Sequence, residues 1–202
     1  MADPVTTAVP SRRLGEPRIQ TVSRLNVANL LTLVRFLLVV PFAFVIFAGG
    51  GHAVGWRVAA ALLFLLASAT DRLDGQVARR YGLVTDLGKF ADPLADKVLT
   101  GTALVALSVL GELWWWLTLL VLVREFAVTV LRSALARKAA MPASKGGKAK
   151  TVLLTIGIGL LLLPIGGAVH IAGLVALVGA AAVSTVTGVD YGFRGARIAR
   201  SR

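Results

Sequence analysis

The chain has 202 residues, of which 56% are apolar and 16% charged, with a mean hydropathy of +0.79. A soluble globular surface carries about 25% charged residues, so a water-exposed domain is excluded. The excess of 22 Lys and Arg over 10 Asp and Glu, a net charge of +12, falls between long apolar runs and not over one face, which also excludes a disordered chain and a nucleic-acid-binding domain. Cys is absent, so chemistry must rest on carboxylates, hydroxyls, Lys, Arg or the two His.

Residues 1–25 are polar, carry Pro4, Pro10 and Pro17, and read as a mostly disordered tail, with helical spacing from residue 18 (Ile19, Val22, Leu25) that suits a helix lying on lipid headgroups. Residues 26–195 then read as one domain of six transmembrane helices, an all-α integral membrane protein, followed by a basic tail at 196–202. The expected helices cover 29–47, 56–81, 87–110, 113–139, 150–167 and 168–189. Their separators are Gly49 to Gly51, Gly82, Gly111, the loop from Pro142 to Gly147, and Gly166 with Gly167. Short cytoplasmic loops carry the positive excess of a membrane protein. Arg12, Arg13, Arg18, Arg24, Arg79, Arg80, Arg137, Lys138, Lys145, Lys148, Arg194, Arg197, Arg200 and Arg202 all fall on one side, so both termini are expected in the cytoplasm. The other side carries Arg57, Glu112, His170 and the run Trp114, Trp115, Trp116, an interfacial aromatic belt.

An acid at mid-membrane costs about 2.5–3.5 kcal/mol on insertion scales, and such residues mark function. Asp71 and Asp74 lie toward the cytoplasmic end of the second expected helix, and Asp92 and Asp96 toward the cytoplasmic start of the third. Counting about 1.5 Å per residue places Asp74 roughly 12 Å inside one helix end and Asp92 roughly 9 Å inside the other, so the two pairs face each other at similar depth. Four carboxylates this close need cations to remain ionised. Hard divalent ions such as Mg²⁺ or Mn²⁺, which join carboxylates to phosphate oxygens, meet that need. Gly75, Ala78 and Gly88 on the same faces let the helices approach or leave room for a substrate.

The stretch 71–96, DRLDGQVARRYGLVTDLGKFADPLAD, fits the pattern DxxDGxxARx8GxxxDxxxD at all eight specified positions. It resembles the CDP-alcohol phosphotransferase family. The resemblance implies a six-helix membrane fold with a CDP-linked lipid and a pair of divalent ions in a cavity facing the cytoplasm. By position it makes Asp71, Asp74, Asp92 and Asp96 metal ligands, with Asp96 also the general base. It makes Asn29, Thr32, Gly75, Ala78, Arg79 and Thr85 contacts to CDP-diacylglycerol. It further implies a homodimer in a bacterial cell membrane, multi-pass, with the active site cytoplasmic.

The acceptor side rests on the fourth helix, where Arg124 and Glu125 lie near mid-span and Glu125, Thr129 and Arg132 share one face. The segment 123–151, VREFAVTVLRSALARKAAMPASKGGKAKT, is similar to the branch of that family whose acceptor is sn-glycerol 3-phosphate. The branch commonly has Gln where this chain has Leu154. The implied reaction joins CDP-diacylglycerol to sn-glycerol 3-phosphate, giving phosphatidylglycerophosphate and CMP in phospholipid biosynthesis, with Arg124, Arg132, Lys148 and Lys150 as candidates for the acceptor phosphate. Within the family, phosphatidylglycerol (a cardiolipin-forming reaction) or an inositol phosphate would be the other acceptors. From another class, a cation-coupled transporter also places acids inside a bundle, but the acid pairs here are neighbours in sequence and no internal repeat accompanies them.

Overall fold

The computed structural model describes residues 27–81, 86–135 and 145–200, with side chains described at 33–70, 94–131, 133 and 146–193. It is all-helical over those residues: α1 (Val27–Phe47), α2 (Val54–Tyr81), α3 (Asp86–Val109), α4 (Trp115–Leu135), α5 (Lys145–Leu162) and α6 (Ala168–Arg200), with one short 3₁₀ turn at Ala48–Gly51. The count and order of helices match the sequence expectation. Residues 1–25 lie outside the described residues.

Four helix ends follow directly from local chemistry. Gly49, Gly50 and Gly51 turn the chain between α1 and α2 with φ of 61°, 72° and 79°, a left-handed run that side chains with a Cβ rarely adopt. Gly111, at φ 75°, caps α3 in the same way. α5 stops at Leu162 ahead of Pro164, and Gly167, at φ 60°, opens the turn into α6. Three bounds differ from expectation by five residues or more. α5 begins at Lys145 and ends at Leu162, five residues early at each end, and α6 runs 33 residues to Arg200 instead of closing at 189. A hydropathy reading ends a span where apolar residues end, but helical hydrogen bonding continues into water. At 1.5 Å per residue α6 is roughly 50 Å long against a hydrocarbon core of about 30 Å.

The bundle is packed around small residues and a few large ones. Phe42 and Ile46 of α1 meet Ala60, Ala61, Phe64 and Ala67 of α2, all nearly or fully buried, and the Phe42 and Phe64 rings lie 6.1 Å apart. Leu99, Ala103, Leu104 and Leu107 of α3 complete this half. In the other half α5 and α6 approach backbone to backbone. A Cβ on Gly157 would stand 2.7 Å from Leu177 and 3.0 Å from the Gly173 carbonyl, and one on Gly173 would stand 3.0 Å from Leu161. Such glycine contacts let helices associate by packing where no hydrophobic force acts between them.

Much of the described exterior of the bundle is apolar. Val40, Phe44 and Val186 are each 71% exposed and Phe126 is 72% exposed, a surface of the kind that faces hydrocarbon or a protein partner. Among the described residues, two helices, Leu33–Gly51 and Ala168–Phe193, are long and apolar enough to cross a membrane, and Val54–Thr70 forms a shorter apolar helix.

One end of the bundle is closed by a buried ion pair. Arg57, 4% exposed near the start of α2, donates from one guanidinium nitrogen to Glu112 Oε2 at 2.5 Å and to the Leu161 carbonyl at the end of α5. His52 Nδ1 stands 3.7 Å from the other Glu112 oxygen. Trp114 and Trp116 stack beside it, ring centroids 6.0 Å apart, and both are exposed. The clasp thus joins α2, the α3–α4 connection and α5. Removing one partner of a buried pair strands the other charge. Glu112→Leu is therefore expected to lower stability by on the order of 3 kcal/mol. Thermal unfolding in detergent checks this.

Candidate active site

The opposite half of the bundle holds a cavity of about 530 Å³ between α3, α4 and α5. Each helix contributes a stripe at helical spacing. α3 supplies Leu94, Asp96, Lys97, Val98 and Gly101; α4 supplies Leu122, Glu125, Phe126, Thr129 and Ser133; α5 supplies Lys150, Thr151, Leu154 and Thr155. α3 and α4 are joined at their far ends, where Ser108 and Thr118 hydrogen-bond at 2.7 Å and Thr118 also donates to the Leu104 carbonyl at 3.4 Å. They remain close at Gly101, whose added Cβ would meet Leu122 at 3.4 Å. The cavity opens beyond that point, toward Asp96.

Its walls are chemically divided. Leu94, Val98 and Phe126 line it while themselves exposed on the outside, so one wall is continuous with the apolar exterior. The polar part holds Asp96, Lys97, Glu125 and Lys150. Lys97 donates to Thr129 Oγ1, bridging α3 and α4, and the Thr129 hydroxyl donates to the Glu125 carbonyl of its own helix at 2.7 Å. Lys150, 8% exposed, contacts Glu125 Oε1, and its ammonium also lies within electrostatic range of Asp96.

Glu125 is the centre of this charge arrangement. Its Oε1 accepts from Lys150 and also from Arg124 Nη1 at 2.6 Å. Arg124 is turned away from the cavity. Its Nε donates to the Ser184 carbonyl at 2.7 Å and its Nη2 to Thr187 Oγ1 at 2.6 Å, both on α6. Of the four acceptor-phosphate candidates, the structure brings Lys150 into the cavity. It leaves Lys148 exposed in the first turns of α5 and places Arg124 against α6. The side chain of Arg132 lies outside the described ones, as do those of Asn29, Thr32, Asp71, Asp74, Gly75, Ala78, Arg79 and Asp92, while Thr85 lies outside the described residues altogether. The backbone does place Asp71 and Asp74 in the last turns of α2 and Asp92 and Asp96 in the first turns of α3.

Two charged positions, Lys97 and Arg35, go unremarked in the sequence reading. Lys97 follows Asp96 directly, where a cation beside an acid carries no separate sequence signal. Arg35 is buried in α1 at 2% exposure, signalled only by a charge inside an apolar run. Leu154 lines the cavity on the helical stripe of Lys150, so the departure from Gln noted above adds apolar wall to the site.

Comparison with known proteins reaches the same region. Residues 25–186 match the family described as CDP-alcohol phosphatidyltransferase. The chain belongs to that family. It is 49% identical over 172 residues to a probable phosphatidylglycerophosphate synthase of Mycobacterium tuberculosis, covering 85% of this chain and 82% of the relative. It is 37% identical over 171 residues to a CDP-diacylglycerol–glycerol-3-phosphate 3-phosphatidyltransferase of Rickettsia felis, covering 82% and 93%. A CMP-forming cardiolipin synthase of Streptomyces coelicolor is 36% identical over 159 residues, covering 76% and 73%. The matched region takes in α1 to α5 and most of α6, so the cavity and both helices that carry the four Asp lie within it.

The Glu125–Lys150 contact can be tested without any assay of activity. Glu125→Leu leaves Arg124 and Lys150 as adjacent cations and is expected to lower the unfolding midpoint in detergent, with Lys150→Met in the same chain recovering part of the loss. A double-mutant cycle on the two should return a coupling of about 1–3 kcal/mol.

Proposed function

We propose that this protein transfers the phosphatidyl group of CDP-diacylglycerol to sn-glycerol 3-phosphate, releasing CMP and forming phosphatidylglycerophosphate. The observation that carries the reading is that Asp96, the last acid of the motif, and Lys150, a buried cation, line one cavity whose far wall is apolar. A lipid donor and an anionic acceptor need those two surfaces side by side. The names of the relatives from Mycobacterium tuberculosis and Rickettsia felis support the choice of acceptor.

In this reading, Lys150 attracts the acceptor's phosphate, with Lys148 and Arg132 as further cations at the cytoplasmic mouth. Lys97, held by Thr129, adds positive charge beside Asp96. Asp96 takes the proton of the attacking hydroxyl. A bond forms from that oxygen to the phosphatidyl phosphorus as the bond from phosphorus to the CMP oxygen breaks, and CMP leaves as the anion. Most of the rate comes from positioning and from neutralising the diphosphate, since a carboxylate in this company is a modest base. Asn29, Thr32, Gly75, Ala78, Arg79 and Thr85 hold the nucleotide-lipid.

The donor set of Asp71, Asp74, Asp92 and Asp96 is all carboxylate, on the facing ends of α2 and α3, and suits a hard divalent ion such as Mg²⁺ or Mn²⁺, with room in charge for two. Bound there, such ions would withdraw electron density from the diphosphate and make CMP a better leaving group. The same reading places the six helices across a bacterial cell membrane, with both termini and the cavity mouth cytoplasmic, and the protein as a homodimer.

The deciding assay is CMP release by the purified protein in detergent with CDP-diacylglycerol and Mg²⁺ or Mn²⁺, with glycerol 3-phosphate, phosphatidylglycerol and inositol phosphate offered separately. Turnover with glycerol 3-phosphate alone is expected; turnover only with phosphatidylglycerol would move the protein to the cardiolipin-forming reaction. Asp96→Asn is expected to lower the rate by about 10²–10⁴-fold, the usual worth of a positioned general base. A rate near that of the unaltered protein would remove Asp96 from that role.

A further inference from the structure

We propose that Thr187 and Gly188 of α6 are positioning residues for the acceptor site, acting through Arg124 and Glu125 on Lys150; this rests on the reading that Lys150 receives the acceptor's phosphate. Neither α6 residue lines the cavity. Both nevertheless form the seat of Arg124. The Thr187 hydroxyl accepts from Arg124 Nη2 at 2.6 Å while donating its own proton to the Val183 carbonyl at 2.8 Å, so the acceptor lone pair stays turned toward the guanidinium. The Ser184 carbonyl accepts from Arg124 Nε at 2.7 Å. Gly188 makes the approach sterically feasible: a Cβ there would stand 3.1 Å from Arg124 Nε and 3.4 Å from its Cγ.

The seat matters because of what Arg124 does with its remaining nitrogen. Arg124 Nη1 and Lys150 Nζ share one oxygen, Glu125 Oε1. The three side chains together carry one net positive charge. Were Arg124 lifted off α6, Glu125 would belong to Lys150 alone and the remaining pair would be neutral, with little pull on a phosphate dianion. Arg124 therefore keeps Glu125 from cancelling Lys150. Glu125 in turn fixes where the Lys150 ammonium stands. A sequence scan gives the last helix no role, because Ser, Thr and Gly in an apolar helix look like packing residues.

The test compares Gly188→Val, Thr187→Val, Thr187→Ser and Lys150→Ala in the full-length protein in detergent, measuring the apparent KM for glycerol 3-phosphate and for CDP-diacylglycerol, kcat, and the thermal midpoint. Gly188→Val and Thr187→Val are each expected to raise the KM for glycerol 3-phosphate about tenfold with kcat and the KM for CDP-diacylglycerol changed less than about twofold, the pattern of lost ground-state binding. Thr187→Ser keeps the hydroxyl and should restore the original KM. Lys150→Ala should raise the same KM at least as far, and adding Gly188→Val to it should raise it no further. If Lys150→Ala raises the KM while Thr187→Val and Gly188→Val leave it unchanged, or if they raise both KM values alike, the α6 seat is overturned and the acceptor reading stands. If Lys150→Ala leaves the KM unchanged, the acceptor reading itself fails and takes this inference with it. Thr187→Val is nearly isosteric, so the test survives if Gly188→Val does not fold.

Discussion

A charge inside an apolar bundle must find its counter-charge within the protein, because hydrocarbon offers none. Glu125 meets that constraint at the cavity end of this molecule. It stands where α4 faces both α5 and α6, and one carboxylate oxygen holds a cation from each direction, Lys150 from α5 and Arg124 from its own helix. Arg124 spends its other nitrogens on the Ser184 carbonyl and the Thr187 hydroxyl, so each of the three guanidinium nitrogens has a partner within the protein. The position of the Lys150 ammonium at the cavity follows from this cluster. Arg57 and Glu112 solve the same problem at the other end, where no cavity needs to be kept.

The two ends are thus built for different purposes. At the Trp114 end, glycine turns, a buried ion pair and the Ser108–Thr118 hydrogen bond draw the helices together. At the Asp96 end, α3, α4 and α5 surround open space and are bridged across it by the Lys97–Thr129 hydrogen bond and the Glu125–Lys150 contact. Close approach at Gly157 and Gly173 locks α5 to α6, so the wall that carries Lys150 is braced from behind. Close helix packing lies away from the cavity while Asp96, Lys97, Glu125 and Lys150 lie at it, which is the division a site needs if its groups are to be held in place before a ligand arrives.

Much of this is legible in the sequence. Six apolar stretches punctuated by Gly and Pro give the six helices in order, because segment length and turn chemistry are local properties. The placement of two acids near the end of α2 and two near the start of α3 follows from spacing alone, and Glu125 and Thr129 on one face of α4 do reach the cavity as helical periodicity predicts. What the sequence does not carry is the direction of a long side chain with two neighbours. Arg124 and Lys150 read alike as candidates for the acceptor phosphate, yet one is claimed by α6, where Gly188 leaves room for its side chain, and the other by the cavity. Arg57 reads as a charge near a helix end, and its burial becomes evident only when Glu112 and the Leu161 carbonyl, distant in sequence, arrive beside it. The early start of α5 is missed for a different reason: Lys and Gly at 145–148 carry no apolar signal, while their backbone is helical all the same.

The exposed faces of Leu94, Val98 and Phe126 have a further consequence for how such a site is supplied. A wall shared between the cavity and the surrounding hydrocarbon can be reached by sideways diffusion within one leaflet, whereas the polar mouth is reached from the aqueous phase. Supply of the two kinds of molecule then obeys two different concentration scales, a mole fraction in the surface for the amphiphile and a molarity in bulk for the solute. Diluting the surface with inert lipid or detergent changes the first without touching the second, and any amphiphile with a suitable tail competes for the same wall.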